Sequence, residues 1–477
     1  MPTYYLRMEG VNLGSVLSDT NQISVIRGAS LLLREATRKV EEEFAFAKFT
    51  KISSGASIGL FQFEALNSGM AEGKRQQVAD YLSQDEQLCY FTFVVDIQAE
   101  SGDFVHDKEA LLARNRFCQL QQPTFAFPTT IATATKPCEL TNLPASQQEK
   151  IGEEIQDVSD SVSVRFNYGR EQKHDFYQQE TGIDLKFTNS LKELAEPDAN
   201  TPKNLGHKIA VLYLDGNDFS KIQKTHCKNP QDLRKFDVQV QTKRCQFLTC
   251  FLEKIRSDPA FFNHDKVCKV RLETLLWGGD EMLFVVPAWK GLELLNYFYQ
   301  VSRDWEFEGE KLMHAGGLVF CRAKTPIRRI RKFAEELANG VKDSKGGREE
   351  NLFYYMALES IDYPSEPLDT LRKKIFARDA LQQDYKPLQP LNDDRLAALA
   401  WLKKNIPKSQ AYNLVRAIIQ GDKQCAEKIA RLKVVITDDQ YLKALDKLEI
   451  AFPRQTLEWQ WIHLIELWDY IVTTSPQ

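Results

Sequence analysis

The clearest hydrophobic pattern lies between residues 209 and 287. It opens with an apolar run, 209–214, that contains β-branched and aromatic residues and ends in an acidic turn. This pattern predicts a strand with polar side chains at its carboxyl end, namely Asp215, Asn217 and Asp218. Apolar residues then recur at helical spacing from about 230 to 256, which predicts a long helix packed on a sheet.

A second apolar pattern follows that helix and predicts a hairpin. Two apolar runs, 273–277 and 282–286, flank the turn Gly278-Gly279-Asp280-Glu281, in which glycine supplies positive φ. If the first strand pairs beside this hairpin, as in a βαββαβ ferredoxin-like unit, Asp215 and Asp280 lie side by side at one edge of the sheet.

The first hundred residues repeat the same order of patterns. Strand, helix, hairpin, helix and strand are expected in turn at 4–16, 24–44, 49–65, 73–82 and 89–97. Laid over the later copy, Glu9-Gly10 falls on Asp215-Gly216, Asn12 on Asp218, and Gly55-Ala56-Ser57 on Gly279-Asp280-Glu281. The hairpin carboxylates are therefore missing from the first copy, which indicates an internal duplication with one chemically silent half. An unrelated α+β domain on a common fold is the alternative.

The expected fold is α+β, with two ferredoxin-like βαββαβ units, an intervening linker region and a C-terminal helical bundle. The linker contains a loop rich in proline and threonine at 121–145, with helices expected at 148–166 and 187–197. The C-terminal part has heptad-like apolar spacing interrupted by prolines, typical of a small bundle. The boundaries expected are 1–100, 101–206, 207–360 and 361–477.

Composition narrows the functional classes. With 477 residues, 43% hydrophobic and 11% aromatic, the chain is expected to be globular, and its net charge of −4 gives no general attraction to nucleic acid. Its nine cysteines occur without a CxxC pair, which favours reduced thiols in a cytoplasm. Cys118 and Cys138 are expected to be ordinary thiols, with a zinc site as the alternative. No apolar run has the length of a membrane helix, so no membrane partner is expected.

The candidate chemistry is that of a divalent cation. Two carboxylates, Asp215 and Asp280, with the main-chain carbonyl of Gly216, form a set of hard oxygen ligands suited to Mg²⁺ or Mn²⁺ holding a triphosphate. Carboxylates kept together without a cation would repel each other. Glu281 is expected to be either a further ligand or a base, and Asp218 either part of the site or a helix cap.

These motifs resemble those of a known family. The pair Asp215-Gly-Asn-Asp-Phe219 and Gly278-Gly-Asp-Glu281, followed by a helix in which Ala334 precedes Lys342, is similar to the palm of GGDEF and class III nucleotidyl cyclases. The resemblance is strongest to the cyclase-bearing large subunit of type III CRISPR effector complexes, which has one degenerate and one active palm. That subunit makes cyclic oligoadenylates from ATP.

The resemblance implies roles for particular residues. Asp215, Asp280 and Glu281 would be catalytic, with Asp215, Gly216 and Asp280 holding the metal. Nucleotide binding would involve Gly216, Asn217, Phe219, Ser220, Gly278, Gly279 and Lys342. Lys342 would hold the β- and γ-phosphates. The chain has Asp-Glu after its paired glycines where the CRISPR subunits have two aspartates, so the choice between ATP and GTP stays open.

The resemblance also implies a function and partners. The expected enzyme is a metal-dependent cyclic oligonucleotide synthase that uses ATP in prokaryotic antiviral signalling. The alternative is a nucleotide-binding scaffold subunit of an RNA-guided defence complex that does not turn nucleotide over. An RNA or protein activator and a protein partner at the C-terminal helices are expected. Family members with a histidine–aspartate nuclease carry it ahead of the first palm, and we expect no DNA cleavage here.

Overall fold

The structure, a computed structural model, describes residues 1–45, 49–122, 136–199, 201–263, 268–358, 366–376, 379–421 and 425–471. Strands and helices alternate up to residue 358, and residues 366–471 form a helical region. The expected α+β class and the C-terminal helices are thereby confirmed. Most of the expected loop at 121–145 lies outside the described residues.

The first sheet is built from residues 3–99. Its elements are β1 (Thr3–Val11), α1 (Gly14–Leu17), α2 (Ile23–Glu43), β2 (Thr50–Ser54), β3 (Ile58–Glu64), α3 (Ser68–Gln84) and β4 (Thr92–Ala99). The strands lie in the order β2-β3-β1-β4 and every neighbouring pair is antiparallel. The apolar residues of α2 and α3 pack on one face of this sheet, because alternate strand residues such as Leu6 and Phe61 point to that face.

The region between the two sheets differs from the expectation. Its elements are α4 (Phe104–Gln121), β5 (Gln147–Ile151), β6 (Glu154–Val158), α5 (Asp160–Thr181) and α6 (Leu191–Leu194). The helix expected from residue 148 is wrong over its first half, where Gly152, at φ +70°, turns β5 back into β6. The helix begins only after Ser159, whose hydroxyl accepts the backbone N–H of Val162 and so caps α5.

The second sheet has five strands. Its elements are β7 (Lys208–Gly216), α7 (Phe219–His226), α8 (Pro230–Ile255), β8 (Phe262–Asn263), β9 (Lys269–Val270), β10 (Glu273–Gly278), β11 (Glu281–Pro287), α9 (Gly291–Ser302), β12 (Glu306–Phe307), β13 (Glu310–Lys311), β14 (His314–Arg322), α10 (Ile327–Asp343) and β15 (Leu352–Ala357). The order is β10-β11-β7-β14-β15, with β14 and β15 parallel and the other neighbours antiparallel. The expected strand, long helix and hairpin are all present.

The C-terminal region is helical. It contains α11 (Leu368–Ile375), α12 (Asp379–Gln383), α13 (Asp393–Asn405), α14 (Lys408–Gln420), α15 (Cys425–Ile436), α16 (Asp438–Ala451) and α17 (Leu457–Glu466). Trp459, Trp461 and Trp468 are buried in the core of this region. The Tyr355 hydroxyl on β15 donates to Glu466 at 2.8 Å, which joins this region to the second sheet.

Two features hold the first sheet against the second. Helices α2 and α5 cross at Gly28 and Gly169, where an added Cβ would lie 1.8 and 2.0 Å from a carbonyl oxygen of the other helix. Beside this crossing, Glu273 of β10 accepts hydrogen bonds from Arg27 of α2 at 2.6 and 2.8 Å and from Lys173 of α5 at 2.7 Å. All three charged side chains are buried.

The apolar core is continuous across these regions. One cluster of buried side chains contains Tyr5 of β1, Leu212 of β7 and Trp461 of α17. The division of the chain into four domains therefore stays a prediction. Within the described residues, the longer helices are too polar for any of them to cross a lipid bilayer.

Candidate active site

Two acidic turns meet at one end of the second sheet. The register of β7 and β11 pairs Asp215 with Glu281, and the backbone N–H of Gly216 donates to the carbonyl oxygen of Asp280 at 3.1 Å. A Cβ added at Gly216 would lie 2.7 Å from the Asp280 Cβ and from the Phe219 ring, so only glycine fits there. The acidic strand end and the acidic hairpin turn are therefore adjacent.

The paired glycines of the hairpin have different roles. Gly279 has φ +58°, the left-handed region that favours glycine. Gly278 does not need positive φ, but a Cβ there would lie 2.5 Å from the Cα of Ala56 in the turn between β2 and β3. The close contact between the turns of the two hairpins thus explains why residue 278 is a glycine, and the sequence did not suggest this contact.

Lys342, near the end of α10, reaches this edge. Its ammonium lies 2.5 Å from Asp215 Oδ2 and donates to the carbonyl oxygen of Gly216 at 2.8 Å. These are two of the three oxygen ligands proposed from the sequence for a divalent cation. The ammonium therefore offsets the charge of the oxygen atoms that such a cation would share.

Glu281 is held by a tyrosine that the sequence analysis overlooked. The Tyr213 hydroxyl donates to Glu281 Oε1 at 2.8 Å. Tyr213 lies two residues before Asp215 on β7, so both side chains point to the same face of the sheet. Glu281 is opposite Asp215 in the register and shares that face. The alternation of strand residues was the signal that would have found Tyr213.

Burial and neighbouring negative charges raise the pKa values of two carboxyl groups at this edge. Burial, and then the charge of Asp215, raise the pKa of Asp280 above its usual value. Burial also raises the pKa of Glu281, and the charges of Asp280 and Asp215 act in the same direction against the Tyr213 hydrogen bond. The charge of Asp215 thus destabilises the ionised forms of Asp280 and Glu281, and a cation at this edge would relieve that repulsion.

The donor set fits a hard divalent cation only with help from the main chain. Among the described residues, no three His, Cys, Asp or Glu side chains converge as a metal centre. Asp215, Asp280 and the Gly216 carbonyl supply two carboxylates and one main-chain oxygen, and Mg²⁺ usually takes its remaining ligands from water and substrate phosphates. The residues present therefore fit a cation that binds together with a nucleotide.

Asn217 and Asp218 make their contacts with residues 347 and 348, outside the acidic edge. Asn217 is buried, and its amide nitrogen donates to the carbonyl oxygen of Gly347 at 3.2 Å. Asp218 stands at the start of α7 with φ +56°, yet its side chain makes no capping hydrogen bond, so the capping alternative is wrong. It pairs instead with Arg348 at 2.8 Å, a partner that the sequence did not indicate.

The remaining predicted binding residues lie in different environments. Phe219 is buried, with its ring 5.8 Å from Phe236 and 5.4 Å from His314. The Phe219 ring is therefore part of the core, where it packs under the end of β7 at Gly216. Ser220 is exposed on the first turn of α7. Burial of His314, with the nearby positive charge of Lys342, lowers its pKa to about 3, so this imidazole is neutral.

The first sheet has an edge of the same shape, with one correction to the expected alignment. The Gly10 N–H donates to the Ser57 carbonyl oxygen at 2.8 Å, as Gly216 does to Asp280, and Glu9 pairs with Ile58 as Asp215 does with Glu281. Ser57 therefore corresponds to Asp280, one position away from the alignment drawn from the sequence. The correspondence of Asn12 with Asp218 is correct, and both have left-handed φ.

The two cysteines considered for zinc lie in different surroundings. Cys118 is half-buried on α4, with its sulfur 3.8 Å from Asp96 Oδ1. Cys138 is fully buried in a small apolar cluster with Val25, Val158 and Phe166. Zinc binding by either stays a prediction.

Comparison with known proteins identifies solved structures with a similar fold. No protein-family model and no curated protein matches the chain. Among the crystal structures that match in fold are three with 12% sequence identity over 98% of this chain: the Csm1-Csm4 cassette in complex with one ATP (TM-score 0.53, 70% of that chain), Csm1 in T. onnurineus (0.51, 69%), and the cassette in complex with cA3 (0.51, 69%). The chain has the fold of Csm1.

The Csm1 likeness agrees with the resemblance drawn from the motifs, since both lead to the large subunit of type III CRISPR complexes. At 12% identity the Csm1 match shows a common fold and leaves activity to be tested on this chain. Asp215, Asp280 and Glu281 therefore remain predicted site residues whose geometry is now known.

Proposed function

We propose that this chain is a metal-dependent nucleotidyl cyclase that joins ATP through 3′–5′ phosphodiester bonds into cyclic oligoadenylates. The observation that carries the proposal is the edge of the second sheet, where Asp215, Asp280, Glu281 and Lys342 meet. Support comes from the Csm1 fold, because solved Csm1-Csm4 cassettes hold ATP, cA3 and cA4. In this proposal both sheets are palm domains, and the second is the active one.

Asp215, Asp280 and the Gly216 carbonyl would hold Mg²⁺ or Mn²⁺. When bound, such an ion neutralises the triphosphate and lowers the pKa of a ribose hydroxyl. Lys342 leaves Asp215 and binds the β- and γ-phosphates of ATP. The 3′ oxygen of a second nucleotide bonds to the α-phosphorus while the bond to pyrophosphate breaks.

Glu281 takes the proton of the attacking hydroxyl. Burial and the neighbouring carboxylates raise the pKa of Glu281, which makes its carboxylate a stronger base than an ordinary glutamate. Tyr213 keeps the Glu281 carboxylate on the Asp215 face while this happens. Pyrophosphate is the leaving group, and the Lys342 ammonium compensates the negative charge that develops on it.

The partners are proposed by the same comparison. Solved Csm1 chains are found with Csm4, so a protein of that kind is the expected neighbour of this chain. The C-terminal helices would contact further protein subunits. An RNA or protein activator would turn the enzyme on. The geometry of the acidic edge does not indicate which kind of molecule this activator is.

The decisive experiment is incubation of the purified chain with labelled ATP or GTP and Mn²⁺, followed by separation of the products. Pyrophosphate release with a cyclic product from ATP, lost in Asp215→Asn and in Asp280→Asn, supports the proposal. Nucleotide binding without product, with and without candidate activators, leaves the scaffold function. A cyclic product from GTP alone would overturn the choice of ATP.

A further inference from the structure

The two sheets differ beyond the strand that follows each second helix. In the second sheet β14 is covered by β15, which runs parallel to it, and the Leu358 N–H donates to the Phe320 carbonyl oxygen at 2.8 Å. In the first sheet β4 takes the place of β14, because β1 pairs with β4 as β7 pairs with β14. Within the described residues, no strand pairs with the other side of β4.

The other three outer strands of these sheets are covered by the chain itself. Helix α8 lies along β2, where Arg234 donates to the Lys51 carbonyl oxygen at 2.9 Å. Helix α2 packs against β10. Beyond β15, the N–H and the carbonyl of Phe353 both bond to Leu388, at 2.9 and 2.8 Å. Proteins protect outer strands in this way because unpaired main chain attracts other strands, so the open side of β4 needs an explanation.

Two residues of β4 direct their main-chain groups to this open side. Just after β4, the Glu100 N–H donates to the Thr3 carbonyl oxygen at 3.0 Å, on the β1 side. Because the main-chain groups of a strand point alternately to its two sides, those of Val95 and Ile97 point away from β1. They correspond to the groups that β14 offers to β15, such as the carbonyl of Phe320.

Two arginine side chains bond to these main-chain groups in place of a strand. Arg75 of α3 donates to the Val95 carbonyl oxygen at 3.2 Å, and Arg114 of α4 donates to the Ile97 carbonyl oxygen at 2.6 Å. A guanidinium only donates, so the N–H groups of Val95 and Ile97 still need acceptors, which a strand would supply. Arg114 is exposed, and a hydrogen bond in contact with water is exchanged at little net cost.

The open side of β4 is the floor of a groove of about 560 Å³, called the β4 groove below. Helix α3 packs on the face of the sheet that carries Val95, and α4 packs on the opposite face, where Phe104 contacts the Tyr5 ring. The two helices therefore form opposite walls of the β4 groove. Its lining includes Ala79 of α3 and Cys118 of α4.

Apolar side chains lie in and beside the β4 groove. Phe93 and Ile97 are half-buried on the α3 side of β4. In the last turns of α4, Phe117 and Leu120 are 62% and 85% exposed. The α4 side of β4 itself is more polar, with Asp96 among the lining residues. A segment with alternating apolar and polar side chains would match these two sides.

We propose that an extended segment of a partner protein docks in the β4 groove, parallel to β4, as the fifth strand of the first sheet. The template is β15, which pairs with six residues of β14. Main-chain hydrogen bonds supply the affinity in this mode of recognition, and alternate side chains supply the specificity. This surface serves assembly, and its occupation does not depend on turnover at Asp215 and Asp280.

The first test is hydrogen exchange of the full chain, resolved to single amides by mass spectrometry. The N–H groups of Val95 and Ile97 are expected to exchange fast, and those of Val94 and Asp96 slowly, because the latter pair with β1. Equally slow exchange at all four would mean that the chain covers its own strand, for example with residues 123–135, which lie outside the described residues. That result would overturn the proposal.

The second test adds a probe, a short peptide of alternating valine and threonine with a lysine at each end. The peptide is expected to slow exchange at Val95 and Ile97. With the valines toward α3, a parallel strand directs the main-chain groups of its threonines to β4. Methylating the threonine nitrogens should therefore abolish protection, and methylating the valine nitrogens should leave it unchanged. No protection by the unmodified peptide, or equal protection by both methylated peptides, would overturn the proposal.

Variants of the chain give an independent readout with the same peptide. Ile97→Pro removes an N–H on the open side and should weaken binding about tenfold or more, whereas Ile97→Val keeps that N–H and should bind like wild type. Arg114→Met frees the Ile97 carbonyl and should bind more tightly. If Ile97→Pro does not fold, the methylated peptides decide with wild type alone. Equal binding by folded Ile97→Pro and Ile97→Val would contradict main-chain pairing.

One further variant separates this proposal from the proposed function. Asp280→Asn is expected to bind the peptide like wild type, although it loses cyclase activity under the proposed function. Loss of peptide binding in Asp280→Asn would contradict a surface that is independent of the acidic edge. The two proposals can therefore fail separately.

Discussion

The two sheets of this protein end in edges with the same backbone and different chemistry. In each, a glycine after the first strand donates its N–H to the hairpin turn, and a bulge lies three residues before the turn, at Ile52 and at Leu275. The first edge has Ser57 and Ile58 where the second has Asp280 and Glu281. The backbone therefore provides the shape, and a few side chains decide whether a cation can bind.

The remaining acid of each edge is neutralised in a different way. Glu9 is held by two arginines, Arg7 at 2.8 Å and Arg116 at 3.0 Å. Asp215 is held by the single ammonium of Lys342, with further carboxylates beside it. At the first edge the arginines fully neutralise the one carboxylate, whereas the second edge has excess negative charge that a divalent cation can neutralise.

The two hairpin turns also meet each other. Gly278 faces Ala56, and Gly279 faces Gly55. Since Gly55 corresponds to Gly278 and Ala56 to Gly279, the two contacts exchange when one copy is laid on the other. The copies thus meet around a local two-fold axis.

The largest expected effect is a loss of activity when the carboxylates of the second edge are replaced, with no such loss at the first edge. Asp215→Asn and Asp280→Asn should each reduce product formation by on the order of 10³-fold, because a precisely placed charge is lost from the transition state. The corresponding change in the first sheet, Glu9→Gln, should leave the rate within a few-fold of wild type. A loss in Glu9→Gln as large as in Asp215→Asn would show that the first edge also takes part in chemistry.

The next effect is on the contact between the sheets. Arg27→Met leaves Glu273 buried with one cation fewer, which should lower the free energy of unfolding by about 3–5 kcal/mol. Chemical denaturation measures this. Arg38→Met, on the exposed side of the same helix, should change it by less than about 1 kcal/mol. Similar losses in both variants would contradict the role of the buried cluster.

Equivalent glycines should respond differently to alanine. Gly278→Ala places a methyl group 2.5 Å from the Ala56 backbone and should lower the free energy of unfolding by about 1–3 kcal/mol, since backbone cannot easily move aside. Gly55→Ala meets nothing closer than Ile58 at 3.6 Å, an ordinary contact, and should be nearly neutral. Thermal unfolding of both variants tests the comparison, and equal shifts would refute it.

The charge difference between the edges can be measured with Mn²⁺ alone. Lys342→Met removes the ammonium that competes for Asp215 and the Gly216 carbonyl, so Mn²⁺ affinity without nucleotide should rise about tenfold, equal to about 1.4 kcal/mol. The matched variant Arg116→Met removes one of the two arginines at Glu9 but adds no second carboxylate, and should not create a site. Paramagnetic resonance of free Mn²⁺ gives both affinities. Unchanged binding in Lys342→Met would place the ion elsewhere.

A further expected effect is a pH dependence of stability where α8 meets β2. Burial raises the pKa of Asp237 to about 6, although it accepts the Ser54 N–H at 3.1 Å. The folded chain therefore binds more protons than the unfolded chain between about pH 4 and 6, so stability falls as pH rises through that window and stays lower above it. Asp237→Asn should be more stable than wild type by about 1–2 kcal/mol at pH 8. The gain should shrink at pH 5, and an equal gain at both would exclude this titration.

Much of the candidate site followed from local pattern. The acidic strand end at Asp215 and the glycine hairpin before Glu281 were expected, because alternation, strand length and turn glycines act over a few residues. Local pattern failed at 148–158, where acidic and apolar residues resembled a helix but Gly152 turned the chain back. It also misplaced the first hairpin by one residue, since register depends on the partner strand.

The amino-acid sequence by itself determined the order of the main strands and helices within the two sheets, the acidic turns and the missing carboxylates of the first copy, because these depend on neighbours along the chain. Tertiary structure alone decided that Gly278 faces Ala56, that Lys342 lies on Asp215, and that Phe219 is part of the core. Such contacts join residues that are far apart in sequence. The local pattern of residues is compatible with many different long-range pairings, and close packing of the core selects one of them.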